Sequence, residues 1–128
     1  MSNMDFRIPR NTREISWTKH SIEKMKFYGL SENRVKRVLR NPKRVEEGIA
    51  SGTVAIMQPA GSKKRPHEIW AMYAVAAYNK QLRNKDRKKI IISCWRYPGK
   101  SPIGREIPIP EEIRAEVEKE IKKIKSKL

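Results

Sequence analysis

Acidic residues are scarce in this chain: 14 Asp and Glu stand against 30 Lys and Arg, for a formal net charge of +16. A field of that sign recruits polyanions whatever fold lies beneath it. Cysteine is scarcer still. Cys94 stands alone, which excludes an internal disulfide and fits a reducing cytoplasm. Long hydrophobic runs are missing too. The longest, Ile69 to Tyr78, is too short and too rich in alanine to span a membrane, and the opening MSNMDFRIPR has no apolar core of signal-peptide length. A soluble cytoplasmic protein is expected. Neither C-x-x-C nor H-E-x-x-H spacing occurs, so no metal and no cofactor is expected. There is no Walker-type glycine loop and no G-x-S-x-G, and PAGSKKR is a basic loop with one glycine.

What is present is charge, unevenly spread. Between Arg34 and Lys100 there are 17 basic and 4 acidic side chains, a net of +13, whereas Glu111 to Leu128 has 6 basic and 5 acidic. The excess therefore belongs to the middle of the chain. With 128 residues, no internal repeat and no linker, the length fits one modest core.

Residues 1–13 carry no period and read as a flexible arm before a single α+β domain over 14–128. EISWT can form a short strand. Ile22 and Met25, with Phe27 and Tyr28 less cleanly, mark a helix over 19–28 that Gly29 stops. Ser31 then suits an N-cap, Leu30 and Val35 a hydrophobic staple, and Val35, Val38 and Leu39 the inner face of a helix over 31–41 ended by Asn41-Pro42. Its outer face is Arg34, Lys36, Arg37 and Arg40. Strands are expected at 44–49, 53–58, 67–78 and 89–97, with basic loops at 58–66 (Lys63, Lys64, Arg65) and 79–89 (Arg83, Lys85, Arg87, Lys88). The run 67–78 also fits a helix face, but its aromatic and β-branched content favours a strand. Ile113, Val117, Ile121, Ile124 and Leu128 form one stripe of an amphipathic helix over 111–126, opened by Pro110.

The candidate site follows from IIISCWRYPGKS. Strict alternation puts Ile90, Ile92 and Cys94 on one face and Ile91, Ser93, Trp95 and Tyr97 on the other. Pro98 and Gly99 leave Arg96, Tyr97, Lys100 and Ser101 at the strand end. Arg96 and Lys100 can hold phosphate oxygens, while Trp95 or Tyr97 can stack on an unpaired base. His20 and His67, as acid and base, suit RNA cleavage by the 2′-hydroxyl. The alternative is two packing histidines and two core rings.

The segment ISWTKHSIEKMKFYGLSENRVKRVLRNP (15–42) resembles the opening of a bacterial and archaeal family of unknown function related to the BrnT and RelE/ParE toxins. The residues that carry it are Thr18, His20, Met25, Gly29, Leu30, Ser31, Val35, Val38, Leu39, Asn41 and Pro42, and KKIIISCWRYP is similar to the family's closing strand. The resemblance implies two N-terminal helices packed on a three- to four-stranded antiparallel sheet, to which this chain adds a C-terminal helix. It also implies a toxin-like RNA-binding protein, with His20, Arg96 and Tyr97 as site candidates and an acidic antitoxin-like protein as partner. Tyr28 stands where relatives often have a basic residue. A toxin-like RNA-binding protein is the first expectation, with metal-independent endoribonuclease activity left open. The alternatives are a non-catalytic nucleic-acid-binding module and a partner-regulated protein.

Overall fold

The structure is a computed structural model that describes residues 6–75 and 87–126, without the side chains of 125 and 126. The order of elements is β1 (Ile15–Trp17), α1 (Lys19–Tyr28), α2 (Glu32–Arg40), β2 (Arg44–Glu47), β3 (Thr53–Gly61), β4 (Pro66–Val75), β5 (Lys89–Pro98) and α3 (Glu111–Ser126). This is an α+β chain.

Each N-terminal helix begins and ends on chemistry that satisfies its orphan backbone groups. Thr18 Oγ1 accepts from the Ser21 amide at 3.0 Å, and Ser31 Oγ accepts from the Arg34 amide at 3.1 Å. Gly29, at φ +66°, closes α1 with amide bonds from Gly29 to the Lys26 carbonyl and from Leu30 to the Met25 carbonyl. Leu30 and Val35, on either side of the Ser31 cap, are both fully buried.

The sheet departs from the antiparallel three- or four-stranded expectation. It has five strands in the order β1-β5-β4-β3-β2, and β1 pairs parallel to β5 through Ile15–Lys89, Ser16–Ile90 and Trp17–Ile91. The other pairings are antiparallel. A three-residue strand ahead of the helices is enough to make the sheet mixed.

Both faces are covered. Trp17, Met25, Leu30, Val35 and Val38 pack on Ile56, Ile69, Ala71, Ile91 and Cys94, which places α1 and α2 on one side. On the other, Ile113, Val117 and Ile121 of α3 pack on Ala55, Met57, Trp70, Met72, Ile92 and Trp95. Leu128, the last residue of the expected α3 stripe, lies outside the described residues.

Strand boundaries also differ. The strand expected at 44–49 ends at Glu47. β3 runs on to Gly61, so the expected loop over 58–66 shrinks to a tip at 62–65 held by the Arg65 amide on Ser62 Oγ at 3.1 Å. Pro59 is tolerated because only β4 continues beside it: β2 pairs no further than Met57. In β5 the register slips by one residue, since Met72 faces Ser93 while Tyr73 faces Ile91. Ile92 is the extra residue, so strict alternation fails and Ile92 joins Trp95 on the α3 face while Ile91 and Cys94 share the other. The run 67–78 is strand through Val75; residues 76–78 lie outside the description.

The stretch before β1 is tied to this frame. Phe6 packs on the α1/α2 core, Pro9 is buried, the Arg10 amide meets Glu32 Oε1 at 3.3 Å, and Asn11 Oδ1 accepts from the Trp17 amide at 2.9 Å. No described helix is long and apolar enough to cross a membrane.

Candidate nucleic-acid interface

A row of residues crosses the sheet on the α1/α2 face: Gln58 of β3 faces Ile69 of β4, which faces Arg96 of β5. His67 lies two residues before Ile69 and so emerges on the same face. Arg96 is held at two points. Its Nε donates to the Tyr28 carbonyl at 2.8 Å, at the end of α1, and its Nη1 meets His67 Nε2 at 2.8 Å. A guanidinium only donates, so Nε2 is the acceptor and the ring proton belongs on Nδ1.

From above, α2 contributes Arg34, whose Nη1 donates to Gln58 Oε1 at 2.6 Å. Gln58 Nε2 in turn donates to the carbonyls of Arg37 at 3.1 Å and Asn41 at 2.8 Å, closing the C-terminus of α2. Gln58 therefore both ends a helix and aims an arginine. At the boundary between the expected strand 53–58 and loop 58–66, Gln58 was missed as a site residue; the signal was the alternation Val54, Ile56, Gln58, Ala60, which runs straight through Pro59.

The electrostatics of the row are one-sided. Burial holds the His67 pKa below the usual histidine value, and the nearby Arg96 and then Arg34 push it further down, against a hydrogen bond to the Arg65 backbone. Burial likewise lowers Arg34, with repulsion from Arg37 and Arg96 adding to it. Among the described residues, no carboxylate lies within ion-pair distance of Arg34, Arg37 or Arg96. Arg37 and Arg40 are exposed along α2, and Lys63, Lys64 and Arg65 are exposed at the β3–β4 tip, two residues from His67.

Other expected site residues are elsewhere. Trp95 is fully buried on the α3 face, its ring parallel to Trp70 with centroids 6.0 Å apart, so it cannot meet a base. The expectation of Trp95 in a nucleic-acid interface is therefore corrected: the strand end is aromatic because the α3 core needs two stacked rings. Tyr97 is half-buried against that same core, on the opposite face from Arg96 and His67. His20 is 5% exposed and its Nε2 lies 3.0 Å from Ser93 Oγ. Burial lowers its pKa, Lys24 adds to this, and Glu116, Glu120 and Glu23 oppose it. It packs α1 against the bulged part of β5. Lys100 is exposed just beyond β5. Arg87 and Lys88 are half-buried at its start, while Arg83 and Lys85 lie outside the described residues. Burial pushes the Cys94 thiol up to about 12, so it is an inert core group at neutral pH.

Compared with known proteins, the chain matches no protein-family model, no curated protein and no solved structure.

Proposed function

We propose that this protein binds RNA by its phosphate backbone at the Arg34–His67–Arg96 row, as a toxin-like RNA-binding protein of the RelE/BrnT kind. One observation carries the reading: half-buried guanidinium groups from α2 and β5 share a face with a histidine and, among the described residues, have no carboxylate partner. Neutral acceptors hold their geometry without cancelling their charge, and a phosphate oxygen supplies the missing counter-charge. Arg37, Arg40 and the Lys63–Arg65 tip extend the footprint. The choice of RNA over DNA follows the resemblance of residues 15–42.

The test is the affinity for a labelled single-stranded oligoribonucleotide across a salt series. Arg34→Ala and Arg96→Ala should weaken binding, and each lost phosphate contact should flatten the log–log salt slope by about 0.7. Unchanged affinity and slope in both variants would refute the proposal.

The contact between Arg96 and His67 favours a second reading, a metal-independent endoribonuclease. A phosphate that draws Arg96 off the ring frees the Nε2 lone pair of a histidine kept neutral by its surroundings. His67 then takes the 2′-hydroxyl proton, the 2′-oxygen bonds to phosphorus, and the bond from phosphorus to the 5′-oxygen breaks. Water protonates the leaving oxygen, and Arg96 stabilises the charge on the phosphoryl oxygens. In chelator, cleavage should vanish in His67→Gln while RNA binding stays. Purified protein that cuts no RNA, ribosome-bound message included, removes this reading and leaves the binding one intact.

A further inference from the structure

The rings expected to stack on a base, Trp95 and Tyr97, belong to the α3 core, yet an aromatic ring does stand in the open beside the cationic row. Phe27 is 73% exposed. A lone exposed apolar side chain calls for no explanation; what sets Phe27 apart is where it is and how firmly it is held. It precedes Tyr28, the residue whose carbonyl accepts from Arg96 Nε at 2.8 Å. It therefore lies one residue along the backbone from the atom that aims the guanidinium.

Its backbone is rigid. Met25 and Leu30 on either side are fully buried, and Tyr28 packs against both core clusters. The left-handed Gly29 turn pins the helix end immediately after it. Helical spacing then leaves Phe27 on the outer surface of α1. The ring meets the Tyr28 ring edge-to-face, with centroids 4.9 Å apart and an interplanar angle of 83°. Lys24 Nζ approaches to 5.2 Å from its centroid. An anchored, mostly exposed ring with an ammonium over part of one face joins the two elements that single-strand binding uses, a stacking platform and a phosphate contact.

We propose that Phe27 stacks on an unpaired base of the RNA whose phosphate occupies the Arg34–His67–Arg96 row; this rests on the RNA-binding reading above. The substrate class is thereby narrowed to single strands, loops or bulges, because bases inside a duplex already stack on one another and have no free face.

The experiment pairs two ligands, a single-stranded oligoribonucleotide and inorganic polyphosphate of similar charge, which has no bases. Phe27→Ala should weaken the oligoribonucleotide about tenfold, within the range expected for one stacked base, and leave polyphosphate unchanged. Phe27→Trp should restore it. If Phe27→Ala leaves both ligands unchanged, or weakens both equally, the stacking proposal fails. Arg96→Ala separates the two levels: if it weakens both ligands while Phe27→Ala weakens neither, only the stacking proposal is lost. If Arg34→Ala and Arg96→Ala weaken neither ligand, the cationic row itself is the wrong site and the proposal falls with it.

Discussion

The two faces of the sheet treat their arginines in opposite ways. On the α3 face, Glu68 is buried and fully engaged: Oε1 accepts from Trp70 Nε1 at 3.0 Å and Ser101 Oγ at 2.6 Å, and Oε2 accepts from the Ser101 amide at 3.1 Å. Arg44 reaches Ser101 Oγ at 2.6 Å, pairs with Glu46 at 2.8 Å, and lies 5.1 Å from the Trp70 ring centroid. Glu68 and Arg44 are thus each held inside the protein, Glu68 by hydrogen-bond donors and Arg44 by an ion pair, and the segment after β5 is thereby fastened to β4. On the α1/α2 face, Arg34 and Arg96 are oriented with equal care, but only by neutral oxygens and a histidine nitrogen. Among the described residues, an arginine held in place without a carboxylate keeps a charge that an outside anion can meet. Arg44, paired with Glu46, is neutralised inside the fold. Arginine count alone does not separate the two roles; the partner of each arginine does.

The sharpest attempt to break this division is Trp95→Ala. Removing a fully buried ring from its stack on Trp70 should destabilise the protein by about 3–5 kcal/mol in urea unfolding. The folded fraction should bind RNA as before. Loss of affinity at unchanged stability would show that the α3 face takes part in binding.

A smaller effect is expected from a pair of glycines at hairpin tips. Gly61, at φ +81°, has the Arg65 carbonyl and, at 2.8 Å, His67 Nδ1 against where a Cβ would stand, whereas Gly52, at φ +83°, has nothing within 4 Å. Both alanine variants should lose roughly 1 kcal/mol or more because a side chain is forced into a left-handed conformation. Gly61→Ala should also displace His67 and weaken RNA binding; Gly52→Ala should leave binding alone. Equal affinities for the two variants would detach the β3–β4 tip from the site.

The smallest effect is on pH dependence. His20 and His67 both have folded-state pKa values below the usual histidine value, through burial first. The unfolded chain therefore binds more protons once pH falls through about 6.5, and stability drops from there until pH passes below the folded values, where the loss levels off. His20→Gln should flatten this decline more than His67→Gln, since His20 is the more buried. A flat profile between pH 7.5 and 5 in the parent protein would contradict both shifts.

Much of the frame was legible beforehand. Gly29 and Ser31 announce helix ends through local hydrogen bonding, which needs no tertiary partner, and the 113-117-121 stripe is a property of one helix. The mixed sheet was not legible. Three residues at Ile15–Trp17 have too little length to carry a period, and their pairing with Lys89–Ile91 joins segments more than 70 residues apart. The bulge at Ile92 was equally hidden, because an apolar run reads the same with or without an extra residue. The site divided along the same line. Arg34, His67 and Arg96 stood out by residue type, but so did Trp95, Tyr97 and His20, and type alone does not say which face a side chain takes.

From the amino-acid order came the helices, the strand segments and the surplus of cations in the middle of the chain, since these depend on neighbours a few positions apart. Which arginines keep an open charge, which aromatic rings are sealed, and which of two histidines meets a guanidinium were decided by sheet register and by the layering of helices on its faces. Those depend on contacts between distant segments, and a one-residue shift in register exchanges one face for the other.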